Sequence, residues 1–498
     1  MNVNPITRLD YPDPDVIRVE DTYYMVSTTM HFMPGCEILQ SFDLVHWEHV
    51  TYVYETLDHT DAQQLKSGQN IYGQGMWAAS LRYHEGRFYI CFVANDTRKT
   101  YLYTSEKIDG PWKKQLIEGF YHDGSLLFDE DGRNYIVYGN DEIWITELNE
   151  DLTAPKKDGL HRLLVSDHKN PELGYEGSHI QKINGYYYIF LIHSLRDRWM
   201  RTEACFYSDS LEGEFTGGDV LCDDRGYCGQ GVAQGGIVDT PDGKWYAMLF
   251  QDSGAVGRLP ILLPVTWKDH FPVFGQNGHV PEEIEVHSTR PGYIYQPLVG
   301  SDDFCNGLLP RWQFNHDPDP QYYHLDALQG TYTITTREVC TELTQAVNTL
   351  TQRMSYPSCA AEVTVDASAL KEGDVAGLCA LQGCYAAVGI TKHHGKYEVL
   401  MLDKKEDGIL DMTEGTVVES HQMDFRLEAD FCNMKDEARC YYRVNKGDWL
   451  PIGTVHKLYF KLDHFTGCRF GLFCYAAEET GGSACFRDFK YYDVDEIS

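Results

Sequence analysis

The stretch Glu176-Gly-Ser-His-Ile-Gln-Lys-Ile-Asn-Gly-Tyr-Tyr-Tyr188 decides the fold, because its pattern recurs along the chain. Stretches of the same design end at Tyr24, Tyr89, Tyr135 and Tyr246. In four of the five, a glycine lies three residues before the tyrosine, where a tight hairpin needs one. Alternating apolar and polar residues on both sides favour two strands. Five hairpins of one design therefore predict five related β-sheets.

Counting back from these tyrosines aligns five residues of chemical interest. A step of 11 residues from Tyr24, and of 12 from the other four tyrosines, gives Asp13, Trp77, Asp123, Glu176 and Gln234. The alignment predicts that the five side chains occupy equivalent positions. If the repeats close into a ring, three carboxylates then meet at one mouth of that ring.

A second motif accompanies the first and sets the size of the repeat. Ser41-Phe-Asp-Leu-Val-His-Trp47 has the same shape as Ser105-Glu-Lys-Ile-Asp-Gly-Pro-Trp112. Repeats of about 46 to 65 residues with several strands each are typical of propeller blades. We predict a five-bladed β-propeller over residues 1–290. An irregular β-sandwich with accidental repeats is the alternative.

The remainder of the chain has a different pattern. Pro291 and Pro297 mark a linker over residues 291–300, and the blade motif is absent from residue 301 onward. Residues 301–498 are predicted to form a β-sandwich. Its strand candidates are Thr331–Thr335, Ala360–Val365, Ala386–Ile390 and Lys396–Leu402, the last two joined by a turn at 392–396. The protein is thus predicted to be all-β with two domains.

Composition excludes some classes of partner. Of 498 residues, 42 are Lys or Arg and 75 are Asp or Glu, which gives a net charge of −33. This balance argues against binding nucleic acid or an anionic membrane through a basic face. Aromatic residues make up 13% of the chain and include 34 tyrosines, a content suited to β-structure and to surfaces that stack on sugars.

The sequence also bears on location. The 15 cysteines show no spacing typical of zinc sites. The first residues have neither the basic nor the apolar region of a signal peptide, and no apolar run approaches the ~18 residues of a membrane span. We therefore expect a cytoplasmic protein with reduced cysteines.

Three carboxylates at one mouth need a chemical reason, because like charges at close range raise each other's pKa values and cost stability. Either a cation lies among them or they perform acid–base work. Glycoside hydrolysis uses one protonated carboxyl group and one ionised carboxylate, and a third can tune the acid. Trp77 in the same ring offers a flat apolar wall to a sugar.

At this point the sequence resembles glycoside hydrolase family 43, the β-xylosidase and α-L-arabinofuranosidase group. The residues that carry the resemblance in the propeller half are Tyr11-Pro-Asp-Pro-Asp-Val-Ile17, Met33-Pro-Gly35, Gly75-Met-Trp77, His122-Asp-Gly-Ser125 and Glu176-Gly-Ser-His-Ile180. In the second half, Asp302-Asp-Phe304 and the stretch 348–353 resemble the sandwich appended to many β-xylosidases. The resemblance therefore implies a concanavalin-like jelly roll after the propeller.

The resemblance also implies roles for single residues. Asp13 would be the general base, Glu176 the general acid, and Asp123 the group that tunes and orients Glu176, in a reaction that inverts the anomeric centre. The predicted substrate-binding residues are Trp77, Arg258, Met30, His31, Phe32 and Gln234. For Arg258, a purely structural ion pair is the alternative.

Metal binding is left open by the sequence. Many relatives have a histidine at the place of Gln234, where it ligates a channel ion. Because a neutral amide is a poorer ligand, we do not expect a channel calcium to be required. The sandwich offers Asp302, Asp303 and Asp488 as weak candidates for a structural calcium. No cofactor is expected for the chemistry itself.

The sequence thus predicts an exo-acting, inverting glycoside hydrolase that releases terminal xylose or arabinofuranose from short oligosaccharides. The protein is predicted to bind neither nucleic acid nor membranes, and a homo-oligomer is possible. The alternatives are an endo-acting arabinanase of the same fold, a non-catalytic sugar-binding propeller and an invertase-type propeller. The last is disfavoured by the lack of an Asn-Asp-Pro-Asn stretch near the start.

Overall fold

The computed structural model describes residues 4–413 and 415–493, so the predicted domain limits at residues 1 and 498 fall outside the described part. Strands, numbered below in chain order, dominate it. Helical structure in the described residues is limited to three single 3₁₀ turns, Lys66–Gly68, Leu343–Gln345 and Cys432–Met434. No helix within these ranges is long and apolar enough to cross a membrane.

The first half of the chain folds into five antiparallel sheets of four strands each. Blade 1 contains β1 (Asp15–Val19), β2 (Thr22–Ser27), β4 (Gly35–Ser41) and β5 (Glu48–Tyr54). Blade 2 contains β6 (Met76–His84), β7 (Arg87–Ala94), β8 (Lys99–Ser105) and β9 (Lys113–Ile117). Blade 3 contains β10 (Ser125–Phe128), β11 (Asn134–Asn140), β12 (Glu142–Leu148) and β13 (His161–Ser166). Blade 4 contains β14 (Glu176–Ile183), β15 (Tyr186–Ser194), β16 (Arg201–Ser208) and β17 (Thr216–Leu221). Blade 5 contains β18 (Val232–Asp239), β19 (Trp245–Asp252), β20 (Arg258–Lys268) and β21 (Phe271–Phe274).

The five blades close into a ring around a central channel. The innermost strands β1, β6, β10, β14 and β18 contact one another in that order, and β18 contacts β1 again. The N-terminal segment also binds the last blade, since Ile6 N donates to Pro260 O (3.0 Å) and Tyr11 N to Arg258 O (3.1 Å). The predicted five-bladed propeller is confirmed, and each of its five predicted hairpins is present.

The second half forms the predicted sandwich of two antiparallel sheets. In one sheet, β3 (Phe32–Met33) is followed in spatial order by β22 (Gln313–Asn315), β25 (Leu350–Arg353), β35 (Arg469–Tyr475), β27 (Val375–Leu381), β28 (Ala386–His393), β29 (Lys396–Lys404) and β30 (Leu410–Met412), with β31 (Thr416–Val418) also on β29. In the other, the order is β23 (Tyr323–Asp326), β24 (Thr331–Thr335), β36 (Ser483–Asp493), β26 (Ser358–Asp366), β32 (Gln422–Asp430), β33 (Glu437–Arg443) and β34 (Leu450–Lys457). All four predicted sandwich strands are confirmed.

The sandwich is joined to the propeller by shared structure. Strand β3 belongs to the first blade's chain segment, yet it pairs with β22 in the sandwich sheet. Arg353 of the sandwich forms a buried ion pair with Glu37 of the propeller at 2.8 Å, and Arg469 lies 3.5 Å over the ring of Phe32. Because such contacts fix both parts, a loop of the sandwich can contribute to the propeller's mouth.

Three histidines are buried together where the two parts meet. The ring of His31 lies 4.8 Å from that of His316 and 5.0 Å from that of His464. Burial holds the pKa of His31 and of His316 well below 6.5, and neighbouring imidazoles lower both further. Burial, aided by Arg469, lowers the pKa of His464 to about 3. The folded protein therefore keeps these rings neutral.

We expect this cluster to make the protein sensitive to acid. Below about pH 6.5 the unfolded chain takes up protons at these histidines while the folded state does not, so their contribution to stability falls as pH is lowered towards about 3. Replacing His464 by phenylalanine keeps the ring stacked on Tyr72 and removes one such proton. The free energy of unfolding of the variant should therefore depend less steeply on pH, with a slope smaller by up to ~1.4 kcal/mol per pH unit.

The measurement is urea unfolding at several pH values between 7.5 and 4.5. The exposed His324 supplies a matched control, since His324→Phe removes a histidine with no burial to disturb. An equal pH slope in His464→Phe and the parent protein would contradict the expectation.

Candidate active site

The mouth of the propeller is built from residues at the start of the innermost strands or just before them. In each blade, the residue two positions after the aligned tyrosine pairs with one residue of the innermost strand. From blade 1 to blade 5, these partners are Asp15, Ser80, Ser125, His179 and Gly236. Two residues before those partners, the backbone has positive φ in every blade, at Asp13 (52°), Ala78 (32°), Asp123 (47°), Gly177 (65°) and Gln234 (61°). These five residues are therefore the true structural equivalents.

The predicted alignment was wrong by one residue in two blades. Trp77 and Glu176 precede the positive-φ position, while Asp13, Asp123 and Gln234 occupy it. The residue of blade 3 that corresponds to Trp77 and Glu176 is His122, whose carbonyl accepts a hydrogen bond from Gly139 N at 3.0 Å. His122 was part of a quoted motif but was not predicted as a site residue.

The one-residue error in the alignment arises because the hairpin connections differ in length between blades. Blades 1, 2 and 4 join their first two strands by two residues, as between Ile183 and Tyr186. Blades 3 and 5 use five residues, as between Phe128 and Asn134. The equivalent position therefore lies 11 residues before the tyrosine in the first group and 12 in the second. Reading the hairpin lengths from the sequence would have identified His122.

Asp13 is a buried carboxylate with two strong donors. Arg258 Nη1 lies 3.1 Å from its Oδ1, and Thr28 Oγ1 donates to its Oδ2 at 2.6 Å. Because a carboxylate oxygen has further lone pairs, each can still accept a hydrogen bond from water. The free lone pairs leave room for a water molecule beside the carboxylate, as the role of general base requires.

His122 bridges the other two carboxylates. Its Nε2 lies 3.3 Å from Glu176 Oε2 and 3.5 Å from Asp123 Oδ2. Asp123 Oδ2 also accepts a hydrogen bond from Gly177 N at 2.9 Å, and Glu176 Oε2 accepts one from Asn140 Nδ2 at 3.0 Å. The predicted partners Asp123 and Glu176 are thus brought together, with His122 and Asn140 as additional members.

The pKa values within this cluster are coupled through burial and charge. Burial raises the pKa of Asp123 to about 6; His122 opposes this rise, whereas Glu176 and Asp13 add to it. Burial disfavours a charge on His122, but Asp123 and Glu176 together raise its pKa to about 9. At neutral pH the mouth therefore holds an imidazolium among three carboxyl groups.

Aromatic rings and cationic side chains form a continuous series of contacts along one side of the mouth. Successive contacts join Trp199 to Arg201 (5.2 Å), Arg201 to Phe250 (5.3 Å), Phe250 to Arg258 (5.4 Å), Arg258 to Phe465 (4.2 Å), Phe465 to Trp77 (5.4 Å) and Trp77 to His122 (6.3 Å). We call these seven residues the mouth arc. Phe465 comes from the sandwich, so the second domain supplies part of the wall, a contribution that no local pattern of the sequence indicated.

Two predicted substrate-binding residues carry buried donors without a protein partner. Within the described residues, neither Trp77 Nε1 nor Arg258 Nε has a hydrogen-bond acceptor. Buried donors are normally satisfied, so an exception at a mouth calls for an explanation. Contact of these two side chains with a sugar stays a prediction. The ion pair between Arg258 and Asp13 that the structural alternative requires is present, and the role of Arg258 in substrate binding stays a prediction.

The loop Met30–Phe32 lies behind the mouth. All three side chains are at most 1% exposed, and His31 and Phe32 pack against residues of the sandwich. The structure thus places them as support for the wall rather than on its open face. Their direct contact with a sugar stays a prediction.

Gln234 lies beside the cluster, where its side chain leaves no room for a Cβ on Gly177, the residue after Glu176. Its backbone N donates to the buried Glu203 at 2.7 Å. Burial raises the pKa of Glu203 well above its usual range. Gln234 therefore packs against the loop that carries Glu176, and its contact with substrate stays a prediction.

The acidic residues proposed for calcium in the sandwich share one cavity of about 410 Å³, lined by Asp302, Asp303 and Asp488. Both oxygens of Asp302 already accept hydrogen bonds, from Phe304 N and from Trp312 Nε1 at 2.8 Å each. Each of these oxygens keeps a further lone pair. A structural calcium here stays a prediction.

The cluster of His122, Asp123 and Glu176 has the spacing of a metal site, since its ligand atoms lie within 4.8 Å of one another. A metal requires a neutral imidazole. The raised pKa of His122 keeps its ring protonated near neutral pH. Binding of a metal ion by these three residues would therefore displace a proton from His122.

Family models match both halves of the chain. Residues 3–272 match the model of glycosyl hydrolases family 43, and residues 301–492 match that of the β-xylosidase C-terminal concanavalin A-like domain. Among curated relatives, a β-xylosidase of Formosa agariphila is 27% identical over 99% of this chain and 89% of its own length. A non-reducing end α-L-arabinofuranosidase of Bacteroides ovatus is 25% identical over 66% of this chain and 63% of its own length.

Solved structures agree with these matches. A bifunctional GH43-CE protein of Bacteroides eggerthii is 42% identical over 98% of this chain, with a TM-score of 0.92. This chain spans 63% of the length of that protein. A GH43 enzyme engineered to show both endo-xylanase and exo-arabinofuranosidase activity is 27% identical over 99% of this chain, with a TM-score of 0.86. The chain therefore belongs to glycosyl hydrolases family 43 and is a glycoside hydrolase with a propeller and a concanavalin-like sandwich.

Proposed function

We propose that the protein is an exo-acting, inverting glycosidase that removes terminal xylose or arabinofuranose from short oligosaccharides. The observation that carries this proposal is the different environment of the two reacting carboxyl groups. Asp13 is held by a guanidinium and a hydroxyl, whereas Glu176 contacts His122, which in turn contacts Asp123. Hydrolysis with inversion needs two carboxyl groups with different tasks, one acting as base and one as acid.

The mechanism assigns each group a role. Glu176 donates its proton to the glycosidic oxygen as the bond to the leaving sugar breaks. Asp13 takes a proton from the water that attacks the anomeric carbon from the opposite side. His122 contacts both Glu176 and Asp123 and so orients Glu176. The chemistry of this family needs no cofactor, and these side chains with water are sufficient for it.

Exo action is supported by the walls of the mouth. Phe465 of the sandwich lies 4.2 Å from the guanidinium of Arg258 and 5.4 Å from Trp77. A wall that the sandwich completes in this way favours a pocket for one terminal sugar over an open cleft for a long chain. The name of one relative, a non-reducing end α-L-arabinofuranosidase, describes a cut of this type.

The test combines substrate choice with stereochemistry. Aryl β-D-xyloside and aryl α-L-arabinofuranoside are assayed side by side, and the ratio of rates identifies the preferred sugar. We expect xylo- or arabino-oligosaccharides to lose one sugar at a time, and proton NMR at early times to show the inverted anomer first. Early release of longer fragments would contradict exo action, and first appearance of the retained anomer would contradict inversion.

A further inference from the structure

Trp199 is an exposed tryptophan at the outer end of the mouth arc. Its side chain is 43% exposed, in contrast to the buried Phe250 further along the arc. Scattered surface aromatics are common and mean little alone. This one, however, is connected by its contact with Arg201 to the residues that surround the catalytic carboxyl groups.

Chain topology places Trp199 on the same side of the propeller as Glu176. Strand β14 begins at Glu176, and the antiparallel strand β15 ends at Ser194, so the loop of residues 195–200 lies at the same end of blade 4. The loop is closed by hydrogen bonds from Leu195 N to Met200 O (3.1 Å) and from Met200 N to Ser194 Oγ (2.8 Å). Trp199 is therefore held on a short, internally bonded turn.

Arg201 connects this turn to the chemistry. Its guanidinium forms a buried ion pair with Asp252 at 2.7 Å. Burial opposes the charge, but Asp252, and after it Glu176 and Asp13, raise the pKa of Arg201. The field of both catalytic carboxyl groups thus reaches the residue on which Trp199 stacks.

We propose that Trp199 is the platform for the sugar on the leaving-group side of the scissile bond. The argument rests on the proposed function, in which Glu176 protonates the leaving oxygen. The leaving sugar lies beyond that oxygen, on the side of Glu176's own blade, where Trp199 is the exposed aromatic ring on the adjoining turn. A flat indole face packs well against the C–H face of a pyranose or furanose ring.

The experiment compares two substrates that share the sugar to be released. One is the disaccharide, which has a leaving sugar, and the other is the glycosyl fluoride, which has none. The released sugar is xylose or arabinofuranose, whichever the wild-type enzyme prefers. Trp199→Ala should lower kcat/KM for the disaccharide about ten-fold and leave kcat/KM for the fluoride within about two-fold. Trp199→Phe should retain most of the activity on the disaccharide.

Trp449→Ala is the matched control, because Trp449 also stacks on an arginine, Arg443 at 4.2 Å, but on the sandwich. It should not change either rate. Equal losses on both substrates in Trp199→Ala, or no loss on the disaccharide, would overturn the assignment of Trp199 alone. A wild-type enzyme that hydrolyses neither substrate would overturn the proposed function, and this inference with it.

Discussion

Replacement of Asp13 by asparagine is expected to abolish turnover of every substrate. The amide is nearly isosteric and can still contact Thr28 and Arg258, but it cannot take a proton from water. General-base catalysis contributes roughly 10²–10⁴-fold, and every leaving group needs the attacking water. We therefore expect kcat/KM to fall by at least about 10²-fold on oligosaccharides, on activated aryl glycosides and on glycosyl fluorides alike.

Steady-state kinetics on the three substrate types tests this expectation. Asp21→Asn provides the control, since Asp21 is an exposed carboxylate that pairs with Arg290 at 2.8 Å away from the mouth. Circular dichroism and thermal unfolding show whether the variants fold. More than about a tenth of the wild-type rate in Asp13→Asn would remove Asp13 from the role of base.

Replacement of Glu176 by alanine should have a large effect that depends on the substrate. Without the acid, an unactivated sugar must leave as an alkoxide, so we expect kcat/KM for the disaccharide to fall by about 10²–10⁴-fold. A dinitrophenyl glycoside needs little protonation and should lose less than about ten-fold. Glu176→Gln should behave similarly, because the amide can occupy the place of the carboxyl beside Asn140 and His122 but cannot act as an acid.

The ratio of the two losses is the decisive quantity. Equal losses on both substrates would indicate that Glu176 acts on binding or on the fold rather than as a proton donor. Glu130→Ala supplies the comparison, since Glu130 is 84% exposed on the hairpin between β10 and β11. It should leave both rates unchanged.

Much of the fold was predictable because its signals are local. Each hairpin shows strand alternation and most carry a turn glycine within about a dozen residues, so the repeat around Tyr89, Tyr135, Tyr188 and Tyr246 could be found by inspection. The repeat count then gave the five blades. The trio Asp13, Asp123 and Glu176 was also predicted as a set, and the structure brings Asp123 within reach of Glu176 through His122.

The exact partners within the mouth required the tertiary structure. His122 is the structural equivalent of Trp77 and Glu176. This equivalence is seen only from the residues that pair across each hairpin. A shift of one residue reverses the direction in which a strand side chain points. Counting residues between repeats was therefore enough to predict five blades, but it did not identify every residue of the candidate active site.

The sequence by itself determined a five-bladed propeller, a following sandwich and a group of acids at one mouth. It could do so because strand periodicity and hairpin turns depend on residues that are close together in the chain. Only the tertiary structure decided that Phe465 of the sandwich stacks on Arg258, that His122 links two carboxyl groups, and that Trp199 lies beside Arg201. Phe465 is separated from Arg258 by more than two hundred residues, and the contact exists because the two domains share a sheet through β3 and β22. Such contacts follow from how domains pack, which no local pattern encodes.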